Sequence, residues 1–169
     1  LSDSPPERDL EWTEAGVDGA SRYLNRLFRL VADPPVDLPD RDAPRPRDMS
    51  PAALDAERAV HKTIAGVTAD LERFRLNRAV ARVRELTNAV AGLGGDIGEP
   101  WVLRLACESI AKLIGPMVPH LAEEMWCRLG HHTLLADTAW PEVAAALVVD
   151  ETVTMAVQVN GKLRGTLEL

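Results

Sequence analysis

No stretch of this chain is apolar for anything near the ~20 residues that cross a bilayer, and its opening Leu1-Ser2-Asp3-Ser4-Pro5-Pro6 has neither the basic flank nor the apolar core of a signal peptide. The expected location is therefore the cytoplasm, with no membrane partner. Only two cysteines are present, Cys107 and Cys127. They match no metal-ligand spacing, and two thiols in a non-secreted chain read as reduced packing residues. Catalytic signatures are missing too. Gly161-Lys162 lacks the upstream glycine of a phosphate loop and is followed by Leu163, and no Gly-x-Ser-x-Gly, His-Glu-x-x-His or Cys-x-x-Cys occurs. Without a convergent acid, base and nucleophile, an autonomous enzyme is the least favoured of the alternative readings. No metal site is expected.

What is present suits one globular domain with a small appendage: 169 residues, 46% hydrophobic and 27% charged. The net charge of -7 argues against a generic polyanion binder. Charge is nevertheless uneven. Arg58, Lys62, Arg73, Arg75, Arg78, Arg82 and Arg84 face only Asp70 and Glu72 over the same stretch, while acidic residues gather in 3–18 and 123–151. Position 1 is not Met and the end falls inside a β-like segment, so an excised piece of a longer protein is expected.

Periodicity predicts a mainly α fold: four to five amphipathic helices in a bundle, then a β-hairpin. After an extended entry over 1–12, Val17, Ala20, Leu24, Leu27, Phe28 and Val31 form the buried stripe of a helix from Thr13 to Val31. Asp33-Pro34-Pro35 ends it, and six prolines from Pro34 to Pro51 make 34–51 a loop with few residues able to pack. A second helix is predicted from Pro51, after Ser50, to Arg73, with Val60, Ile64, Val67, Leu71 and Phe74 inward. The phase then shifts, and Asn77 could cap a third helix that closes at Gly92. A single bent helix is the alternative. A fourth follows Glu99-Pro100, and a fifth runs from His120 to Leu129, so that the bundle spans 13–130 and a linker 131–151.

From 152 to 169 the period becomes two. An Asn160-Gly161 turn of two residues would set Val157 against Arg164, whereas a three-residue connection places Val153, Met155 and Val157 on one face with Leu163, Leu167 and Leu169. The bulged, three-residue type is predicted, with Gly161 at positive φ. Such a hairpin with an uncovered apolar face could mediate self-association, while the bundle itself is expected to be monomeric.

Arginines are the candidate binding residues. Arg22, Arg26 and Arg29 fall on one face of the first helix, and Arg75, Arg78 and Arg82 on one face of the third. Rows of this kind suit phosphate contacts, which position a nucleic acid without reading its bases. They equally suit a solvated face balanced by Glu72 and Glu85, and periodicity leaves both open. Trp12, Trp101, Trp126 and Trp140 read as core or hinge packing. The His120-x-x-Glu123-Glu124 cluster reads as a capping or partly buried histidine with solvated glutamates, and His131-His132 as surface.

Ser4-Pro5-Pro6-Glu7-Arg8-Asp9-Leu10-Glu11-Trp12, Gly16-Val17-Asp18-Gly19-Ala20 and Leu24-Asn25-Arg26 resemble the junction where bacterial leucyl-tRNA synthetases leave the catalytic domain and enter their helical bundle. His61-Lys62-Thr63-Ile64, Arg73-Phe74-Arg75-Leu76-Asn77, Pro119-His120-Leu121-Ala122-Glu123-Glu124-Met125-Trp126 and Trp140-Pro141 extend the resemblance in order. Val157-Gln158-Val159-Asn160-Gly161-Lys162-Leu163-Arg164-Gly165 resembles the opening hairpin of the small C-terminal domain. Met125 stands where Leu is usual and Cys127 where a charged residue is common. Isoleucyl and valyl relatives share such a bundle, and a protein-interaction module is the alternative from another class.

The resemblance implies a class I anticodon-binding bundle whose partners are leucine tRNA and the catalytic and editing domains of its parent. ATP and Mg would belong to the parent, and this piece would hold no cofactor and no catalytic residue. Its HIGH, KMSKS and editing segments are not in this sequence. The tRNA-binding residues implied are Arg22, Arg26, Arg29, Arg75, Arg78 and Arg82, with Lys162 and Arg164 on the hairpin.

Overall fold

A computed structural model describes residues 13–149 and the backbone of two strands within 154–168. Five helices follow in order: α1 Glu14–Ala32, α2 Pro51–Glu72, α3 Leu76–Val90, α4 Glu99–Ile114 and α5 Pro119–Arg128. Short 3₁₀ turns lie at Leu135–Asp137 and Ala145–Leu147.

Side-chain caps close the starts of two of the five helices, α1 and α2. The Thr13 hydroxyl accepts the Gly16 N–H at 3.2 Å and so caps α1. At α2 the Ser50 hydroxyl accepts the Ala53 N–H at 3.0 Å and donates to Glu99 Oε1 at 2.9 Å, with Pro51 at the first helical position. Glu99 Oε2 accepts the Gly94 N–H at 2.7 Å. One buried carboxylate thus ties the start of α2, the loop after α3 and the start of α4 together.

Packing centres on α4. Val102, Leu103, Ala106, Cys107, Ile110, Ala111, Leu113 and Ile114 are all buried, more than one stripe can supply, so α4 is surrounded rather than laid on a surface. Val60, Ile64 and Val67 of α2, Ala79, Val83, Leu86 and Val90 of α3, and Leu27 and Val31 of α1 complete the core with Ala122, Met125 and Trp126 of α5. Each large aliphatic chain so enclosed contributes roughly 1.5–3 kcal/mol.

Several expectations need correction. The third helix is separate, but it begins at Leu76 without a side-chain cap, so Asn77 is not its N-cap. The chain turns at Phe74, whose φ of 56° is left-handed, and Phe74 is exposed rather than part of the α2 stripe. The proline-rich loop 34–51 packs after all. Val36, Leu38 and Met49 lie against the core, Arg45 forks onto Glu57 with two contacts of 2.7 Å, and the carbonyls of Pro39 and Ala43 accept from Arg104 and Trp101 at 3.0 Å. Proline removes donors, not acceptors or apolar surface, which is why such a loop can still be strapped down.

The linker is likewise docked over its described part. Glu123 accepts the Leu135 and Ala136 N–H groups at 2.8 and 3.1 Å, capping a 3₁₀ turn instead of facing solvent. Leu135 is buried, Trp140 donates to Thr68 Oγ1 at 2.8 Å, and His61 Nδ1 accepts the Ala144 N–H at 3.2 Å. His131 also departs from the surface reading: its ring stacks on Trp126 with centroids 3.5 Å apart, and Nε2 lies 3.0 Å from Glu108 Oε1.

Strands β1 Thr154–Val159 and β2 Lys162–Glu168 pair antiparallel. Val159 pairs with Lys162 and Gln158 with Leu163, after which the register shifts and Val157 meets Gly165 and Met155 meets Leu167. The register thus changes parity at a bulge at Arg164, and the connection through Asn160-Gly161 lies outside the described residues. A bulge inserts one residue opposite a continuous partner strand and so flips the faces beyond it. The predicted conformation of Gly161 lies outside the described residues, as do Trp12 and the 1–12 entry.

Candidate nucleic-acid interface

Helix α1 buries Leu27 and Val31 on one side and leaves Arg22, Arg26 and Arg29 exposed on another. Among the described residues none of these three takes part in an ion pair. Tyr23, partly buried between them and the bundle, has its phenol pKa raised by burial, with Thr87 and the charges of Arg84 and Arg26 opposing. The Arg84 guanidinium lies over the Tyr23 ring, 4.6 Å from its centre, an arrangement that favours a cation. Arg84 of α3 thereby joins the α1 row at a shared tyrosine. Sequence spacing missed it, because Arg84 is out of phase with the face carrying Arg75, Arg78 and Arg82. Only the α1–α3 packing brings it across.

The α3 row is divided. Arg75, at the N-cap of the helix, is exposed and makes no ion pair among the described residues. Arg82 Nε sits 2.7 Å from Asp70 Oδ2, and Arg78 Nε 3.4 Å from Asp70 Oδ1. Asp70 is 3% exposed, so it requires a partner. The balancing carboxylate is thus Asp70, neither Glu72 nor Glu85. Gly66 makes the arrangement possible, since a Cβ there would stand 2.8 Å from Arg82 Cδ, Nε and Cζ. Arg82 is engaged by buried Asp70 at the helix seam, and Arg78 retains one exposed side.

Lys162 and Arg164 lie on β2, Lys162 paired with Val159 and Arg164 at the bulge; their side chains lie outside the described residues. Burial pushes the Cys107 thiol up to about 12, with Glu108 adding to the shift and Arg104 opposing it. Cys127 is exposed. Among the described residues no group of three or more His, Cys, Asp or Glu could hold a metal ion, and no helix is long and apolar enough to cross a membrane. The chemistry these side chains offer is cationic contact with a polyanion.

Comparison with known proteins agrees in kind. Residues 55–169 match the family described as the anticodon-binding domain of tRNA ligase. Leucine--tRNA ligase of Paramagnetospirillum magneticum is 61% identical over 170 residues, covering 100% of this chain and 19% of that protein. The Rhodospirillum rubrum leucine--tRNA ligase is 54% identical over 170 residues, covering 100% and 20%. A crystal structure of the ternary complex of Agrobacterium radiobacter K84 agnB2 LeuRS with tRNA and LeuAMS superposes with a TM-score of 0.75 at 29% identity, over 95% of this chain and 20% of that one. The chain spans about a fifth of the length of the curated relatives it matches. The helical fold, and the family match over most of its length, mean that this chain belongs to the anticodon-binding domains of tRNA ligases.

Proposed function

We propose that this chain is the tRNA-gripping domain of a leucine-tRNA ligase and contributes binding and positioning rather than catalysis. The observation that carries this reading is the exposed row Arg22, Arg26 and Arg29, free of ion pairs among the described residues and joined by Arg84. The solved relative contains tRNA, which supports the same partner here. In the parent, leucine and ATP, with Mg, would form leucyl-adenylate, and the leucyl group would pass to the tRNA 3′ end. A misplacement of that end by ~1 Å can cost on the order of a hundredfold in rate, so a remote grip has kinetic weight.

Leucine tRNAs carry several anticodons, so phosphate and shape contacts near the inner bend suit the task better than base reading there. Arg75, the open side of Arg78, Lys162 and Arg164 are assigned to the same grip. The hairpin is read as the start of a C-terminal domain, the bundle as a monomer in the cytoplasm, and any self-association as a property of an uncovered hairpin face.

The test replaces Arg22, Arg26 and Arg29 together by Gln in the full-length parent enzyme. Affinity for tRNA should fall, and the dependence of log affinity on log salt should flatten by about one unit per lost phosphate contact. Leucine-dependent ATP–pyrophosphate exchange should not change. Unaltered tRNA affinity and salt slope would overturn the reading.

A further inference from the structure

The corner between α2 and α3 is closed like a helix end that normally carries glycine. The Phe74 N–H donates to Leu71 O at 2.9 Å and the Arg75 N–H to Asp70 O at 2.7 Å, the paired bonds of a Schellman motif. That motif needs a left-handed residue after the cap, a place usually taken by glycine because it has no Cβ. Phe74 occupies it with φ 56° and is the one non-glycine at positive φ among the described residues. A bulky side chain in this region is a backbone outlier, and such strain gathers at functional positions.

The strain is not repaid by core packing, because Phe74 is 62% exposed. Arg73 and Arg75 flank it, both exposed and without an ion pair among the described residues. An outward ring between two exposed guanidinium groups complements a nucleotide strand: the ring offers a face to one base, and the cations meet the phosphates on either side.

We propose that Phe74 is a stacking platform for one unpaired base of the bound tRNA, with Arg73 and Arg75 holding the flanking phosphates. This rests on the tRNA-binding reading and adds to it a contact with a base. A paired base is covered on both faces by its neighbours in the stack, so the platform selects a nucleotide from a loop, a bulge or a flipped position.

The experiment uses the full-length parent enzyme and leucine tRNA. Phe74→Gly removes the ring and relieves the backbone together, so the thermal midpoint should hold while tRNA affinity falls about fivefold to a hundredfold, the range of one base–aromatic stack. Phe74→Trp should keep the affinity, and its added indole fluorescence should be quenched when tRNA binds. Unchanged affinity in Phe74→Gly overturns the proposal. A loss of affinity accompanied by a lower midpoint or by weaker leucine-dependent exchange also overturns it, because the ring would then be packing against another part of the parent. The Arg22, Arg26 and Arg29 replacement separates the two readings. If that variant loses affinity and Phe74→Gly does not, the stack alone fails; if both bind normally, the tRNA reading fails with it.

Discussion

On α1 and α3 arginines recur at the same helical spacing, yet the two rows meet different surroundings. Arg22, Arg26 and Arg29 stand on an outer helix with two buried residues and no ion pair among the described residues. Arg78 and Arg82 stand on a helix packed tightly against α2, where Asp70 is buried and draws both in. Helical spacing determines which side chains share a face; the helix across from that face determines whether their charge is spent inside the fold or left for a partner.

Removing one charge from each row sharpens this contrast. Arg82→Gln leaves a buried carboxylate with only Arg78 at 3.4 Å. Breaking a buried pair costs ~3–5 kcal/mol, and because Arg82 is itself 37% exposed, a loss of about 2 kcal/mol is expected in urea unfolding. Arg26→Gln should stay within ~0.5 kcal/mol, as surface changes do. Equal losses would erase the distinction between the rows.

The helix caps allow a second, smaller comparison between the same regions. Ser50 both caps α2 and donates to buried Glu99, so Ser50→Ala should cost about 1–2 kcal/mol, the upper part of the capping range. Thr13 caps exposed α1 through one bond of 3.2 Å, and Thr13→Ala should cost about 0.5 kcal/mol. Chemical denaturation of both variants would show whether the loss tracks the Glu99 connection.

The smallest effect at neutral pH concerns the thiols. In the native chain a thiol reagent at pH 8 should titrate Cys127 and spare Cys107, with both reacting after unfolding. The Cys107 thiol is raised from 9.0 to about 12 in the folded chain. Its contribution to stability is therefore fully present below about pH 9 and is lost as pH rises toward 12, because the unfolded chain releases the proton first. A Cys107→Ser variant with the same alkaline decline would assign that decline elsewhere, for instance to Tyr23, whose phenol is also raised by burial.

Helix positions were legible wherever the signal is local. Thr13, Ser50-Pro51 and Glu99-Pro100 mark starts that the structure keeps within a residue, and the change of phase read after Phe74 separates α2 from α3 as the structure does. Asn77 misled because a capping side chain is useful only where the backbone breaks, and the break falls at Phe74. Glu123, His131 and the packing of the 34–51 loop were misjudged because the hydrogen-bond partners that hold them lie 12 or more residues away.

The candidate interface was legible to a similar depth. Exposure of Arg22, Arg26 and Arg29 follows from the stripe opposite them, while the engagement of Arg82 and the arrival of Arg84 at Tyr23 depend on interhelical packing.

The sequence by itself determined the helical periods, the caps at Thr13 and Ser50, the family and the rows of arginine, because each depends on residues a few positions apart or on motifs kept in order. Tertiary structure alone decided that α4 would be enclosed, that Asp70 would claim Arg82, and that Phe74 would be held outward in a glycine conformation. Those outcomes depend on which surfaces meet after collapse, where a buried carboxylate must find a cation and a tight corner must be closed by whatever residue occupies it.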